Sequence, residues 1–179
     1  MEPTAITPVI LGLLASRPRS GYDIKAVVDR STRFFWAASY GQIYPELRRL
    51  EAEGLIEGED SPTGGRRRRV YRLTGTGRQA LVEWLLGPTV TVELRDESLL
   101  RLFFADALPR EHALMLLEGR QRGHEQYLET LRAIDARPGP APDPEFVDLV
   151  LRWGIAFNEW GAEWCRQQLE RLRNETKAA

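Results

Sequence analysis

Two short runs of strand-type residues, Leu55-Ile56-Glu57-Gly58-Glu59-Asp60 and Arg67-Arg68-Arg69-Val70-Tyr71-Arg72-Leu73, flank the turn-rich segment Ser61-Pro62-Thr63-Gly64-Gly65 and together predict a β-hairpin. On both sides of it the apolar residues recur at helical spacing, so the fold class that follows is mainly α with one β-hairpin. Period two puts Tyr71 and Leu73 on the inward face of the second strand.

Before the hairpin, Thr7-Pro8 offers an N-cap and a first-turn proline to Val9–Ala15, read as a short, fully buried helix. Arg17-Pro18-Arg19 breaks it. Ser20 and Asp23 form a capping box for a second helix carrying Ile24, Val27 and Val28, reaching about Phe34. Ser39 and Gln42 form another S-x-x-Q box ahead of Ile43, Leu47 and Leu50, a third helix running to Glu53 with Gly54 at C′. Pro45 predicts a distorted first turn. After the hairpin, Thr74 caps a fourth helix with Ala80, Leu81, Trp84 and Leu85, which Gly87-Pro88 ends. Three helices, a hairpin and a further helix are the order of a winged helix-turn-helix, assigned to residues 1–87.

The net charge of -1 conceals an asymmetry. Residues 1–87 hold 13 Lys and Arg against 10 Asp and Glu; residues 88–179 hold 12 against 16. Within 61–78 lie Arg66, Arg67, Arg68, Arg69, Arg72 and Arg78 and no acid, a localised anion-binding element for which nucleic acid is the leading partner. A composition of 42% hydrophobic and 28% charged residues excludes a disordered or collagen-like chain. No apolar run approaches the roughly 18 residues a spanning helix needs, and Met1-Glu2-Pro3-Thr4 lacks a basic leader region, so a soluble cytoplasmic protein with no membrane partner is expected. The one cysteine, Cys165, is read as core filler.

Residues 88–179 form a second, helical domain by pattern. Asp96 or Ser98 caps Leu99–Ala105; a longer helix runs from Arg110 to about Ala136; Pro138–Pro144 is a stiff linker. The last helix, Glu145 to about Asn174, carries Phe146, Val150, Trp153, Phe157, Trp160 and Trp164 at spacings of four and three. A second apolar line includes Val147, Leu151, Ile155, Ala162, Cys165, Leu169 and Leu172. Two apolar sides on one helix predict that a partner subunit covers one of them. The dimerisation candidates are Phe146, Val150, Trp153, Phe157, Trp160, Trp164, Leu169 and Leu172.

The segments Gly21-Tyr22-Asp23-Ile24, Gly41-Gln42-Ile43-Tyr44-Pro45-Glu46-Leu47-Arg48-Arg49-Leu50-Glu51, Glu53-Gly54-Leu55-Ile56 and Tyr71-Arg72-Leu73-Thr74 together resemble the PadR family of bacterial transcriptional regulators. The resemblance covers residues 6–86 by motif, and the rest is similar by pattern to the C-terminal α-helical dimerisation domain of the longer members. It implies a homodimeric repressor, often of its own promoter or of an adjacent detoxification or efflux gene, released by a small, often aromatic effector.

In a helix-turn-helix the second helix of the motif enters the major groove. That makes Ser39, Tyr40 and Gln42, at the start of the third helix, the candidates to read bases. Gln42 can pair with adenine or serve its capping box, but not both. Backbone candidates are Lys25, Tyr44, Arg48, Arg49, Arg66, Arg67, Arg68 and Arg69. Tyr44 donates to a phosphate or packs by its ring, and Lys25 contacts a phosphate or stays solvated. Consecutive arginines on a strand face both ways, so at least two per hairpin can meet phosphates, or the tip only solubilises. Two contacts per hairpin in a dimer contribute about 3 to 4 to the slope of log affinity against log salt. A two-fold dimer calls for an inverted-repeat operator in double-stranded DNA. Trp153, Phe157 and Trp160 pack as core or line an effector pocket.

An enzyme needs converging nucleophile, base and orienter. His112 and His124 stand twelve residues apart on one helix with no HExxH motif, and no Gly-rich phosphate loop or G-x-S-x-G is present. Catalysis, metal and cofactor are therefore not expected. The competing reading is a winged-helix module that grips an acidic protein partner and shows no preference for a palindromic fragment over random duplex.

Overall fold

A computed structural model of the chain describes residues 4–29, 31–32, 35–36, 40–63, 66–88, 96–135 and 145–178. The chain divides into two compact units, Met1–Thr91 and Val92–Ala179.

The first unit begins with α1, Thr7–Ser16, whose Ile10, Leu11 and Leu14 are buried. Thr7 is not the N-cap. Ile6 holds that position without a side-chain cap, and Thr7 instead donates its hydroxyl to Glu46. Nor is α1 fully buried, since Gly12 and Ser16 are exposed. The break at Arg17-Pro18 opens an element absent from the sequence reading, the two-residue strand β1, Arg19–Ser20.

Ser20 then caps α2, Gly21–Val28, in the expected reciprocal box with Asp23. This helix stops at Val28, well short of Phe34. The Ser31 hydroxyl takes the Val27 carbonyl at 2.8 Å and the Ser31 amide the Val28 carbonyl at 3.3 Å, which satisfies the last turn as the chain departs.

A single 3₁₀ turn at Tyr40–Gln42 precedes α3, Ile43–Ala52. The late start removes the tension at Pro45: in the first turn of α3, its missing amide is one that has no intrahelical partner. Gln42 sits at the N-cap and makes no side-chain cap bond, while Ser39, the other half of the expected box, lies outside the described residues. At the far end Gly54 takes φ 72°, as its C′ position requires. Leu55 N bonds Leu50 O at 2.9 Å and Gly54 N bonds Glu51 O at 3.0 Å, the two bonds of a Schellman motif.

The hairpin is longer than expected. Strand β2, Ile56–Thr63, pairs antiparallel with β3, Arg66–Leu73, from Ile56↔Leu73 to Thr63↔Arg66, so Ser61, Pro62 and Thr63 are strand and only two residues connect them. Sheet order is β1-β3-β2, which puts Pro62 on an edge strand, where its lack of a donor is tolerated. Helix α4, Gly75–Leu86, is capped by Thr74, whose hydroxyl accepts from Gly77 N at 3.0 Å. Ile10, Leu14, Ile24, Ile43, Leu47, Leu50, Ile56 and Tyr71 form the core under the sheet, with Leu73 packed against it.

In the second unit Asp96, rather than Ser98, caps α5, Glu97–Phe103, accepting from Leu99 N at 3.1 Å. A 3₁₀ turn at Ala105–Ala107 leads to α6, Arg110–Asp135, and α7, Glu145–Ala178, lies along α6. The linker expected at Pro138–Pro144 falls outside the described residues. Leu117 of α6 and Cys165 and Leu169 of α7 are the buried centre, with Leu102, Leu114, Trp164 and Leu172 packed on it. This corrects part of the dimerisation set. Leu169, 3% exposed, has no surface left for a partner subunit, and Trp164 and Leu172 are half-buried against the same centre.

Candidate nucleic-acid interface

Helix α3 separates its faces cleanly. Ile43, Glu46, Leu47 and Leu50 are buried, while Gln42, Tyr44 and Arg48 are exposed. The side chain of Tyr40 is outside the described residues, as is all of Ser39, so of the three base-reading candidates only Gln42 is described, and it lies in the open at the helix start. Tyr44 has one edge in solvent and the other against α2: a Cβ on Gly21 would stand 2.7 Å from Tyr44 Cε1. The glycine of Gly21-Tyr22 is therefore what lets α3 seat on the first residue of α2. Lys25 and Tyr22 are exposed on α2, Tyr22 to 73%. The sequence reading passed over Tyr22.

It also passed over Glu46, a carboxylate only 5% exposed. Arg49 donates to it through Nε at 2.9 Å and Nη2 at 2.6 Å, and Thr4 and Thr7 add their hydroxyls. The Arg49 hydrogen bonds, outweighing the cost of burial, hold this carboxyl below the usual carboxylate range. Arg49 is bound further to Glu53 at 2.8 Å and to Thr7 Oγ1 at 3.2 Å. Arg49, expected as a phosphate contact, is the cation of a network that ties α3 to the entry of α1. The i,i+3 and i,i+4 spacings of Glu46, Arg49 and Glu53 were visible in the sequence, but the threonines were not.

The hairpin arginines divide in the same way. Arg68 Nη2 donates to Asp23 Oδ2 at 2.5 Å; Arg69, pointing to the other face, reaches Glu51 at 2.5 Å and Asp60 at 3.0 Å. Burial works against the charge on Asp23, yet hydrogen bonds from Ser20 and then Arg68 keep its carboxyl below the ordinary value. Arg68 and Arg69, expected to stand ready for phosphates, thus already hold carboxylates of the helix-turn-helix and of β2. Arg66 and Arg67 pair by backbone with Thr63 and Pro62, and their side chains are outside the described residues. Through Arg68 and Arg69 the hairpin is fastened to α2 and to the last turn of α3.

On α7 the first apolar stripe stays open: Phe146 is 76%, Trp153 62% and Trp160 62% exposed, with Val150 and Phe157 also exposed. The Trp153 and Phe157 rings stack at 5.4 Å and 9°, and Trp160 tilts against Phe157 at 6.3 Å. His124 of α6 meets the edge of Phe157 at 5.8 Å, and its Nδ1 is 3.0 Å from the buried Asn158 Oδ1. Gly161 admits the histidine, since a Cβ there would lie 2.6 Å from the ring.

Two family models match the chain. The Transcriptional regulator PadR-like family covers residues 10–83 and the Virulence activator alpha C-term covers residues 94–173. The negative transcriptional regulator PadR of Bacillus subtilis is 32% identical over 145 residues, 76% of this chain and 80% of that one. The crystal structure of Bacillus subtilis PadR in complex with operator DNA superimposes with a TM-score of 0.83 at 29% identity, covering 95% of this chain and 99% of that chain. The complex of the same protein with p-coumaric acid gives 0.78 at 27% identity, over 95% and 99%. With an N-terminal winged helix, a C-terminal helical unit and this degree of likeness, the chain belongs to the PadR-like family of transcriptional regulators.

Proposed function

We propose that this protein is a homodimeric, cytoplasmic repressor, not an enzyme, that binds an inverted-repeat operator and leaves it when a small aromatic effector binds. The observation that carries the reading is the joining of the exposed face of α3 to an arginine-bearing hairpin by the ion pair of Arg69 with Glu51. A helix end in the major groove and a hairpin along the adjacent backbone are one rigid surface, as groove recognition needs. Likeness to a relative solved on operator DNA supports the same reading. Gln42, with Ser39 and Tyr40 beside it in sequence, reads bases; Lys25, Tyr44, Arg48, Arg66 and Arg67 meet phosphates.

A second copy covers the stripe of Phe146, Val150, Trp153, Phe157 and Trp160, whose exposure is too large and too contiguous for a lone protomer in water. The Trp153–Phe157 stack is the surface on which a flat aromatic effector would lie, and a relative is solved with p-coumaric acid. Such an effector acts by preferring a dimer whose two α3 helices have the wrong separation.

The test is footprinting on the DNA upstream of the protein's own coding region, followed by titration of that fragment and of random duplex. Arg66→Ala with Arg67→Ala weakens binding to every duplex and lowers the salt slope by about 0.9 for each phosphate lost, while Gln42→Ala or Tyr40→Ala erodes sequence preference. Equal affinity of the unaltered protein for both fragments refutes the operator reading and leaves an acidic protein as the hairpin's partner.

A further inference from the structure

We propose that a concavity beside the hairpin, framed by Arg17, Arg19 and Arg68, binds one phosphate-type oxyanion. It is an open depression of about 360 Å³ whose floor is Ala26 and Val27 of α2 and whose acidic member is Asp23. Arg17 has extended backbone and Arg19 is paired in β1, so with two residues' spacing the two side chains leave the chain on one side. Arg68 of the neighbouring strand β3 completes the lining.

The charges do not balance. Three arginines and one carboxylate line it, and the Asp23 Oδ2 atom is already taken by Ser20 N at 2.9 Å, Ser20 Oγ at 2.8 Å and Arg68 Nη2 at 2.5 Å. Asp23 therefore answers to the cap of α2 and to Arg68. Arg19 spends its Nε on Leu13 O at 3.1 Å and its Nη2 on Ser16 Oγ at 3.3 Å, which are neutral acceptors and leave its charge in place. Among the described residues neither Arg17 nor Arg19 has a carboxylate within ion-pair distance. Burial and then the neighbouring Arg17 depress the basicity of Arg19, and the opposing pull of Asp23 does not make up the difference. An open depression with excess positive charge and planar donors fits a tetrahedral oxyanion.

The same chemistry is offered by a DNA phosphodiester and by free phosphate. The site rests on the DNA-binding reading only for the first of these sources, in which it extends the backbone footprint past the hairpin onto the β1 turn.

The experiment uses the full chain. Arg17→Gln and Arg68→Gln are compared with Arg17→Lys and with Arg78→Gln, an exposed arginine of α4, in two measurements. The first is the salt dependence of binding to a random-sequence duplex; the second is the thermal midpoint in sodium phosphate against sodium chloride at matched ionic strength. Filled by DNA, the site loses about 0.9 of slope per subunit in both Gln variants. Arg17→Lys then restores the Arg17 loss and Arg78→Gln shows none. Filled by free phosphate, the unaltered protein melts several degrees higher in phosphate, the Gln variants do not, and the slopes stay equal. Slopes lowered as much by Arg78→Gln, or no response in either measurement, overturn the site. Failure of the unaltered protein to prefer its own upstream fragment refutes the operator reading alone, because neither measurement here depends on an operator.

Discussion

The Arg69 guanidinium lies 2.5 Å from the Glu51 carboxylate, and that same oxygen accepts the amide of Gly58 at 3.0 Å, so one acid at the end of α3 holds both strands of the hairpin. The approach is possible because residue 58 lacks a side chain: a Cβ there would meet Arg69 Nε at 2.5 Å and Glu51 Oε1 at 2.6 Å. Glu51→Gln removes one of the two charges that hold Arg69, leaving Asp60 at 3.0 Å. On the DNA-binding reading, affinity for random duplex rises and the salt slope steepens by up to about 0.9 per subunit. Titration at four salt concentrations checks this, and an unchanged slope makes Arg69 purely a strut of the hairpin.

Glu46 makes the first unit acid-sensitive. Its carboxyl titrates below the ordinary 4.5 in the folded state. The contribution of its network is therefore complete above about pH 4.5 and is lost as pH falls through the lower, folded value. Glu46→Gln should cost about 2 kcal/mol at neutral pH, the scale of hydrogen bonds to a charged group, and less as the pH drops below that point. Urea unfolding between pH 3 and pH 7 reads both; parallel pH profiles for the two proteins would contradict the assignment.

Two glycines at the start of α4 give a matched pair. A Cβ on Gly77 would stand 2.0 Å from the Leu55 carbonyl oxygen, a backbone atom that the Schellman turn holds still, whereas one on Gly75 meets nothing within 4 Å. Gly77→Ala is expected to cost about 3 kcal/mol, and Gly75→Ala to change stability by less than about 1 kcal/mol. Thermal unfolding of the two variants side by side measures the difference.

The two apolar lines of α7 should respond to different experiments. Leu169→Ala opens a cavity in the packing against α6 and lowers protomer stability by about 3 kcal/mol. Trp160→Ala removes an exposed ring, so the protomer melts as before while the dimer dissociates at a higher concentration, which sedimentation equilibrium detects. Identical loss of stability in both would mean that no partner copy covers the stripe.

What the sequence determined by itself is whatever neighbours in the chain decide. The Ser20–Asp23 box, the Gly54 terminus, the Thr74 cap and the apolar face of Ile43, Leu47 and Leu50 are settled within one or two turns of backbone, where periodicity and hydrogen-bonding chemistry act directly. The tertiary structure alone decided which charges remain for a ligand. Arg68 finds Asp23 across 45 residues, Arg69 finds Glu51 across 18, and Glu46 is buried because threonines some 40 residues earlier fold onto it. It alone decided that β1 joins the sheet, and that α6 covers Leu169 and leaves Trp153 and Trp160 in the open. An arginine's charge can be read from its codon, but its availability depends on which carboxylate the fold brings within 4 Å, and that is a long-range property.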